Sequence, residues 1–207
     1  MSNVKVQSTA LPRGADFGRL DPEGLGPTTA EQFEALEQDE ANPVELIGGW
    51  VLPMSPGTFE AGESWGDLYS VLRPIVKGFG WRISADARHR LPAPRDTVVY
   101  PDIAIHMARE VKYIPGTETI GRVPDLVAEV LGKKSYDRDI APRGVKFLAY
   151  QASGVQEYYY TWPDGREASG FALRRGVYVP LRRDREGFFA SALLGRRVRL
   201  VEAATRP

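Results

Sequence analysis

The sequence predicts an α/β (α+β) fold with a central mixed β-sheet flanked by helices, and three observations carry the prediction. Helical and strand-like periodicities follow one another along the chain instead of segregating into blocks. The run VPDLVAEVL is almost wholly apolar, as a strand covered on both faces requires. Of 207 residues, 43% are hydrophobic and 26% charged, which suits one packed core of ordinary domain size.

Residues 1–27 hold little periodic pattern and end in DPEGLGP, so they are read as an N-terminal arm or linker, with the folded domain spanning 28–207. In TTAEQFEALEQDEANP, Thr28 or Thr29 can cap a helix, with Glu31 or Gln32 completing a capping box. Phe33 and Leu36 form its apolar face, and Asn42-Pro43 stops it. VELIGGWVLPM reads as a hairpin turning at Gly48-Gly49. In ESWGDLYSVLRPIVKGFG the apolar residues Trp65, Leu68, Leu72, Ile75 and Val76 recur at helical spacing. Pro74 marks a kink point there, and Gly78 and Gly80 close the helix. WRISADARHRL and TVVYPDIAIHM then read as one strand each around the turn PAPRD, and VPDLVAEVL as a third. Residues 139–151 return to helical spacing, with Pro142 tolerated in a first turn and Gly154 as the stop. VQEYYYTW is another strand, and LRRGVYVPLRR and FFASALLGRRVRL add short β pieces.

Composition excludes several chemistries. There is no cysteine, hence no disulfide scaffold, thiolate nucleophile or Cys-ligated metal. This fits a reducing compartment, and a cytoplasmic location is expected. His89 and His106 are too few for a histidine-built metal site. No apolar run approaches the roughly 18 to 20 residues of a membrane span, and MSNVKVQSTALPRG lacks the apolar centre of a secretory signal. GxSxG, P-loop, GxGxxG, HExxH and EF-hand patterns are all missing.

The net charge of zero hides a gradient. Residues 1–60 carry three basic and ten acidic groups, whereas 166–207 carry ten basic, all arginine, and four acidic. That arginine excess is either a solvated surface or a phosphate-binding face.

Two carboxylates stand out because of their surroundings. Asp102 lies within TVVYPDIAIHM and Glu129 within VPDLVAEVL. A charge in an apolar strand needs a partner, a metal or a shifted pKa. Acids on neighbouring strand ends suit Mg²⁺, which takes oxygen ligands from one or two carboxylates plus substrate phosphates. Either acid could instead meet an arginine or water at a strand end. Lys146 follows on the next helix, where its ammonium either returns over the end of the Glu129 strand to offset charge developing at phosphorus or is simply an exposed helix lysine. Asp125 shares a strand face with Glu129 and is either an accessory acid or a cap at the strand's start. Asp137 and Asp139 are read as helix caps, His106 as a core or edge histidine, and Tyr158, Tyr159, Tyr160 and Trp162 as sheet packing.

Taken in order, ELIGGWVLPMSP, an LxxxLRP-type helix, YPDIAIH, PDLVAEVL, KFLAYQASGVQEYYY and FFASALLGRRVRL resemble the Uma-two family of restriction-endonuclease-like proteins in the PD-(D/E)XK superfamily. The resemblance runs from about residue 28 to 201. It implies a restriction-endonuclease-like fold and a Mg²⁺ (or Mn²⁺) site for hydrolysis of DNA. Asp102 matches the acid of the family's first Pro-Asp, and Glu129 that of its Glu-Val-Leu strand; both would hold metal and act in catalysis. Lys146 matches the lysine four before a tyrosine, here Tyr150. Glu45 matches the glutamate of the family's hairpin, as an accessory acid or a hairpin anchor.

The sequence departs from the pattern. The superfamily's E-x-K is absent, with Leu131 two after Glu129, so the lysine role falls to Lys146 ahead of Lys133 or Lys134. Gly132 replaces the serine after Glu-Val-Leu, Gly48-Gly49-Trp50 replaces Asp-Gly-Glu, and no histidine follows the Ser-Pro turn. These departures frame the alternative, a nuclease-fold protein that binds nucleic acid or serves assembly without cleaving. The expected partners are DNA and, through the arm, a second copy in a homodimer, with no membrane.

Overall fold

A computed structural model of the chain describes residues 28–35, 43–54, 59–132, 144–163 and 167–199. The expected arm at 1–27, Leu36, and the caps at Asp137 and Asp139 lie outside those residues.

The capping box expected near Thr29 starts the first helix. Helix α1 spans Ala30–Glu34, Thr29 accepts from the Gln32 N–H, and the Gln32 side chain reaches back to the Thr29 N–H. Phe33 is fully buried beneath Leu46 and Val98. Strands β1 (Val44–Ile47) and β2 (Trp50–Pro53) form the expected hairpin, with positive φ at Gly48 and Gly49 as a two-residue turn of this hand requires. Helix α2 covers Phe59–Gly78 with Pro74 inside it.

The next two segments depart from the one-strand readings. WRISADARHRL splits into β3 (Arg82–Ala85) and β4 (His89–Leu91), which pair in different sheets. The break falls at Asp86, whose φ of 47° leaves the extended region. TVVYPDIAIHM splits likewise into β5 (Thr97–Val99) and β6 (Ile103–His106). Pro101 cannot donate to a ladder, so pairing stops there. Two strands therefore cross from one sheet to the other side by side, and the Asp86 N–H bonds the Asp102 carbonyl where they cross.

Strand β7 (Leu126–Val130) is buried at every position, as its unbroken apolar run requires. Helix α3 spans Val145–Ser153, starting later than residue 139 because Gly144 adopts extended backbone as its N-cap. Gly154, at φ 85°, ends it. Strand β8 (Glu157–Thr161) runs parallel to β7, and α3 is the crossover such a pair demands. Strands β9 (Ala168–Arg174) and β10 (Val177–Pro180) follow, then a hairpin of β11 (Phe189–Ser191) and β12 (Arg196–Val198).

The strand orders are β2-β1-β5-β4 in one sheet and β10-β9-β8-β7-β6-β3 in the other, with β7–β8 its parallel pair. On one face of the larger sheet, α3 buries Phe147 and Tyr150 against Val127, Tyr158 and Phe171. On the other, α2 buries Leu72 and Val76 against Ile103, Ile105 and Ala128. Tyr158, Tyr159 and Tyr160 are core residues, as expected of a packing run. Glu157 ties the terminal hairpin down: its carboxylate accepts from Ser191 Oγ (2.6 Å), Tyr159 OH (2.9 Å) and the N–H groups of Ala192 (2.8 Å) and Leu193 (3.1 Å). Gly170 lies so close to the Tyr159 ring that an added Cβ would stand 2.7 Å from it. His106 is buried, with its Nε2 3.1 Å from that of His89, so the two imidazoles join β6 to β4 across the sheets. Among the described residues no helix is long and apolar enough to cross a membrane.

Candidate active site

The register of β6 against β7 pairs Ile103 with Ala128, so one step further Asp102 stands opposite Glu129. That step lies at the crossing between sheets, where the backbone has left the ladder. Asp102 Oδ2 accepts from the Val130 N–H at 2.6 Å. Glu129 Oε2 lies 3.5 Å from the Asp102 backbone nitrogen, so the two carboxyl groups face each other. Burial, and next the negative charge of Glu129, push the Asp102 carboxyl well above its ordinary range.

Glu45 reaches the same spot from β1 in the other sheet. It is buried, and its Oε1 accepts from the Tyr100 N–H at 2.8 Å. Lys146, in the first turn of α3, places its Nζ 3.0 Å from Glu45 Oε1, 3.0 Å from Glu129 Oε1 and 3.5 Å from the Tyr100 carbonyl. A cation in a helix's first turn opposes the helix dipole. Burial would further lower the Lys146 pKa, yet Glu129, Glu45 and Asp102 outweigh it and hold the ammonium charged above the usual lysine range. Glu45 shows the reverse balance: its burial raises it despite Lys146. Three acids thus surround one cation.

Tyr150, one helical turn after Lys146, donates to Glu129 Oε1 at 2.7 Å and is itself fully buried. At the solvent edge, Asp86 feels both Glu129 and Lys146, and burial raises its carboxyl. Arg88 carries its positive charge near the Tyr100 hydroxyl.

The structure therefore brings Asp102, Glu129, Lys146 and Glu45 together. Asp125 is not among them. It sits at the opposite end of β7, where its Oδ2 accepts from the Met107 N–H at 2.7 Å and meets Arg122, because one strand face carries Glu129 more than one full repeat away. Sequence reasoning missed Tyr150, Asp86 and Arg88. The four-residue spacing of Lys146 and Tyr150 on one helix face was the available signal for the tyrosine. For the other two the signal lay in a strand break that periodicity hid.

Residues 30–197 match the model of the Uma2 family, described as "Putative restriction endonuclease". This chain belongs to the Uma2 family. A crystal structure of a "putative nuclease belonging to DUF820" from Anabaena variabilis superposes on this Uma2 chain with a TM-score of 0.68. The two are 15% identical, and the match covers 84% of this chain and 96% of that one. At that identity the likeness establishes the fold, a mixed α/β architecture. No curated protein matches the chain.

Among the described residues of this Uma2 protein, no three His, Asp or Glu side chains are arranged to hold a metal ion. A cation would rest on two carboxylates, with its remaining positions open to water or phosphate oxygens, which is how Mg²⁺ is ordinarily held. The donor set fits. It is all oxygen, and two carboxyl groups facing each other make a place where positive charge is favoured.

Proposed function

We propose that this Uma2 protein is a divalent-metal-dependent endonuclease that hydrolyses DNA phosphodiester bonds, with Mg²⁺ or Mn²⁺ as its cofactor. The observation that carries the reading is the pair of carboxyls on adjacent strands, Asp102 and Glu129, facing each other beside the charged Lys146. Asp102 and Glu129 would hold the ion. When bound there, it would supply Lewis-acid polarisation of the phosphodiester and lower the pKa of the attacking water.

The chain's own groups do the rest. Lys146 offsets the negative charge that builds on the phosphoryl oxygens. In this state its neighbours are Glu45, Glu129 and the Tyr100 carbonyl, so reaching a substrate oxygen requires it to give up one of them. Glu45 keeps the ammonium charged and aimed at the site.

The test is cleavage of supercoiled plasmid by the pure protein with Mn²⁺, beside the double variant Asp102→Ala/Glu129→Ala. Nicking by the wild type alone supports the reading. Equal nicking by both, or none by either, overturns it. In the second case, retained DNA binding would favour the alternative of a fold that binds without cleaving.

A further inference from the structure

Glu129 has two carboxylate oxygens, and its surroundings treat them differently. Oε1 takes the Lys146 ammonium at 3.0 Å and the Tyr150 hydroxyl at 2.7 Å, while Oε2 is turned toward Asp102. Asp102 is divided in the same way, with Oδ2 committed to the Val130 N–H at 2.6 Å. Each acid keeps one oxygen for the space between them. What fixes this division in Glu129 is Tyr150. Lys146 alone would not do so, because its long stem has four rotatable bonds and its other partners are Glu45 and Tyr100. Tyr150 has two, and its ring is clamped in the aromatic core with Tyr158, at a centroid distance of 5.6 Å. Its hydroxyl therefore arrives from a fixed direction.

We propose that Tyr150 is a positioning residue: its hydroxyl holds Glu129 Oε1 so that Oε2, with the uncommitted oxygen of Asp102, forms the cation-binding face. This rests on the metal-dependent reading above. Tyr150 touches neither the ion nor the substrate and acts only through Glu129. Partners of a metal-binding carboxylate typically change metal affinity 10- to 100-fold when removed, whereas loss of a ligand abolishes binding.

The experiment is calorimetric titration of the full chain with MnCl₂, using wild type, Tyr150→Phe and Tyr178→Phe. Tyr178 belongs to the same aromatic cluster, and its buried hydroxyl has no hydrogen-bond partner among the described residues, so it controls for losing a core hydroxyl. Tyr150→Phe is expected to weaken Mn²⁺ binding about 10- to 100-fold, with thermal unfolding recorded on each protein to confirm that the fold persists. Tyr178→Phe is expected to leave it unchanged. Tyr150→Met serves as a second variant should Phe fold poorly. A folded Tyr150 variant with wild-type affinity overturns the positioning role while leaving the nuclease reading intact. Equal weakening by Tyr178→Phe also overturns it, since the effect would then belong to the core at large. No Mn²⁺ binding by the wild type overturns the metal-dependent reading itself.

Discussion

Replacing Asp102 by asparagine should make the metal-free protein more stable while removing its capacity for metal. Asparagine has the same shape. Its side-chain oxygen can keep the bond from the Val130 N–H at 2.6 Å, and its amide can donate toward the facing Glu129. What disappears is a second ionisable carboxyl facing Glu129. Two unit charges about 4 Å apart at an effective dielectric of 20 repel by about 4 kcal/mol. Lys146 cancels part of that, and protonation of Asp102 relieves more, so a net gain of about 1 to 3 kcal/mol at pH 7 is expected. For a domain of this size that is a rise in melting temperature of about 3 to 10 °C. The pH dependence has a definite sign. In the unfolded chain the carboxyl titrates near 4, and in the fold it titrates higher, so the folded protein keeps a proton that the unfolded one has released. Asp102 therefore costs nothing below the unfolded value, and stability falls as pH rises from there toward the folded one. Asp102→Asn should flatten that fall. Differential scanning calorimetry from pH 4 to 8 in EDTA measures it. An equal or lower melting temperature at pH 7 would refute the view that Asp102 and Glu129 oppose each other.

Three further outcomes follow from the packing. Glu157→Ala should cost about 2 to 5 kcal/mol in urea unfolding, since it strands buried donors, and hydrogen exchange at Ala192 and Leu193 should rise with it. Burial lowers both His89 and His106 to about 4, aided by His106 in the first case and Arg122 in the second. Both imidazoles should thus stay neutral by NMR down to about pH 5, and stability should decline as pH drops from the unfolded value near 6.5 toward 4. Gly170→Ala should destabilise by about 1 to 3 kcal/mol in urea unfolding, because the new methyl meets the Tyr159 ring at 2.7 Å, and unchanged stability would argue against a rigid ring there.

Much of the site was legible in residue types alone. Glu129 in an apolar run and Asp102 after Pro101 are both anomalies that burial makes costly, and cost of that kind points to chemistry. The β1–β2 hairpin, the capping box at Thr29 and the stop at Gly154 were legible for a related reason, since each depends on three or four adjacent residues. The failures all concern contacts across the chain. Periodicity reads WRISADARHRL as continuous because Ser84, Asp86 and Arg88 alternate correctly with apolar neighbours. It has no means of registering that the backbone turns at Asp86 to pair in a second sheet. Asp125 shared the face of Glu129 but not its end of the strand. Tyr150 stood only as a marker four residues after Lys146, because the contact that gives it a role reaches 21 residues back.

Glu45 and Glu129 come from different sheets, and Lys146 touches both. The cluster is thus also the bolt of a joint. A rotation of one sheet against the other would change the gap the ammonium spans. Substitutions that shift one sheet against the other would then act on the cluster without altering any of its residues.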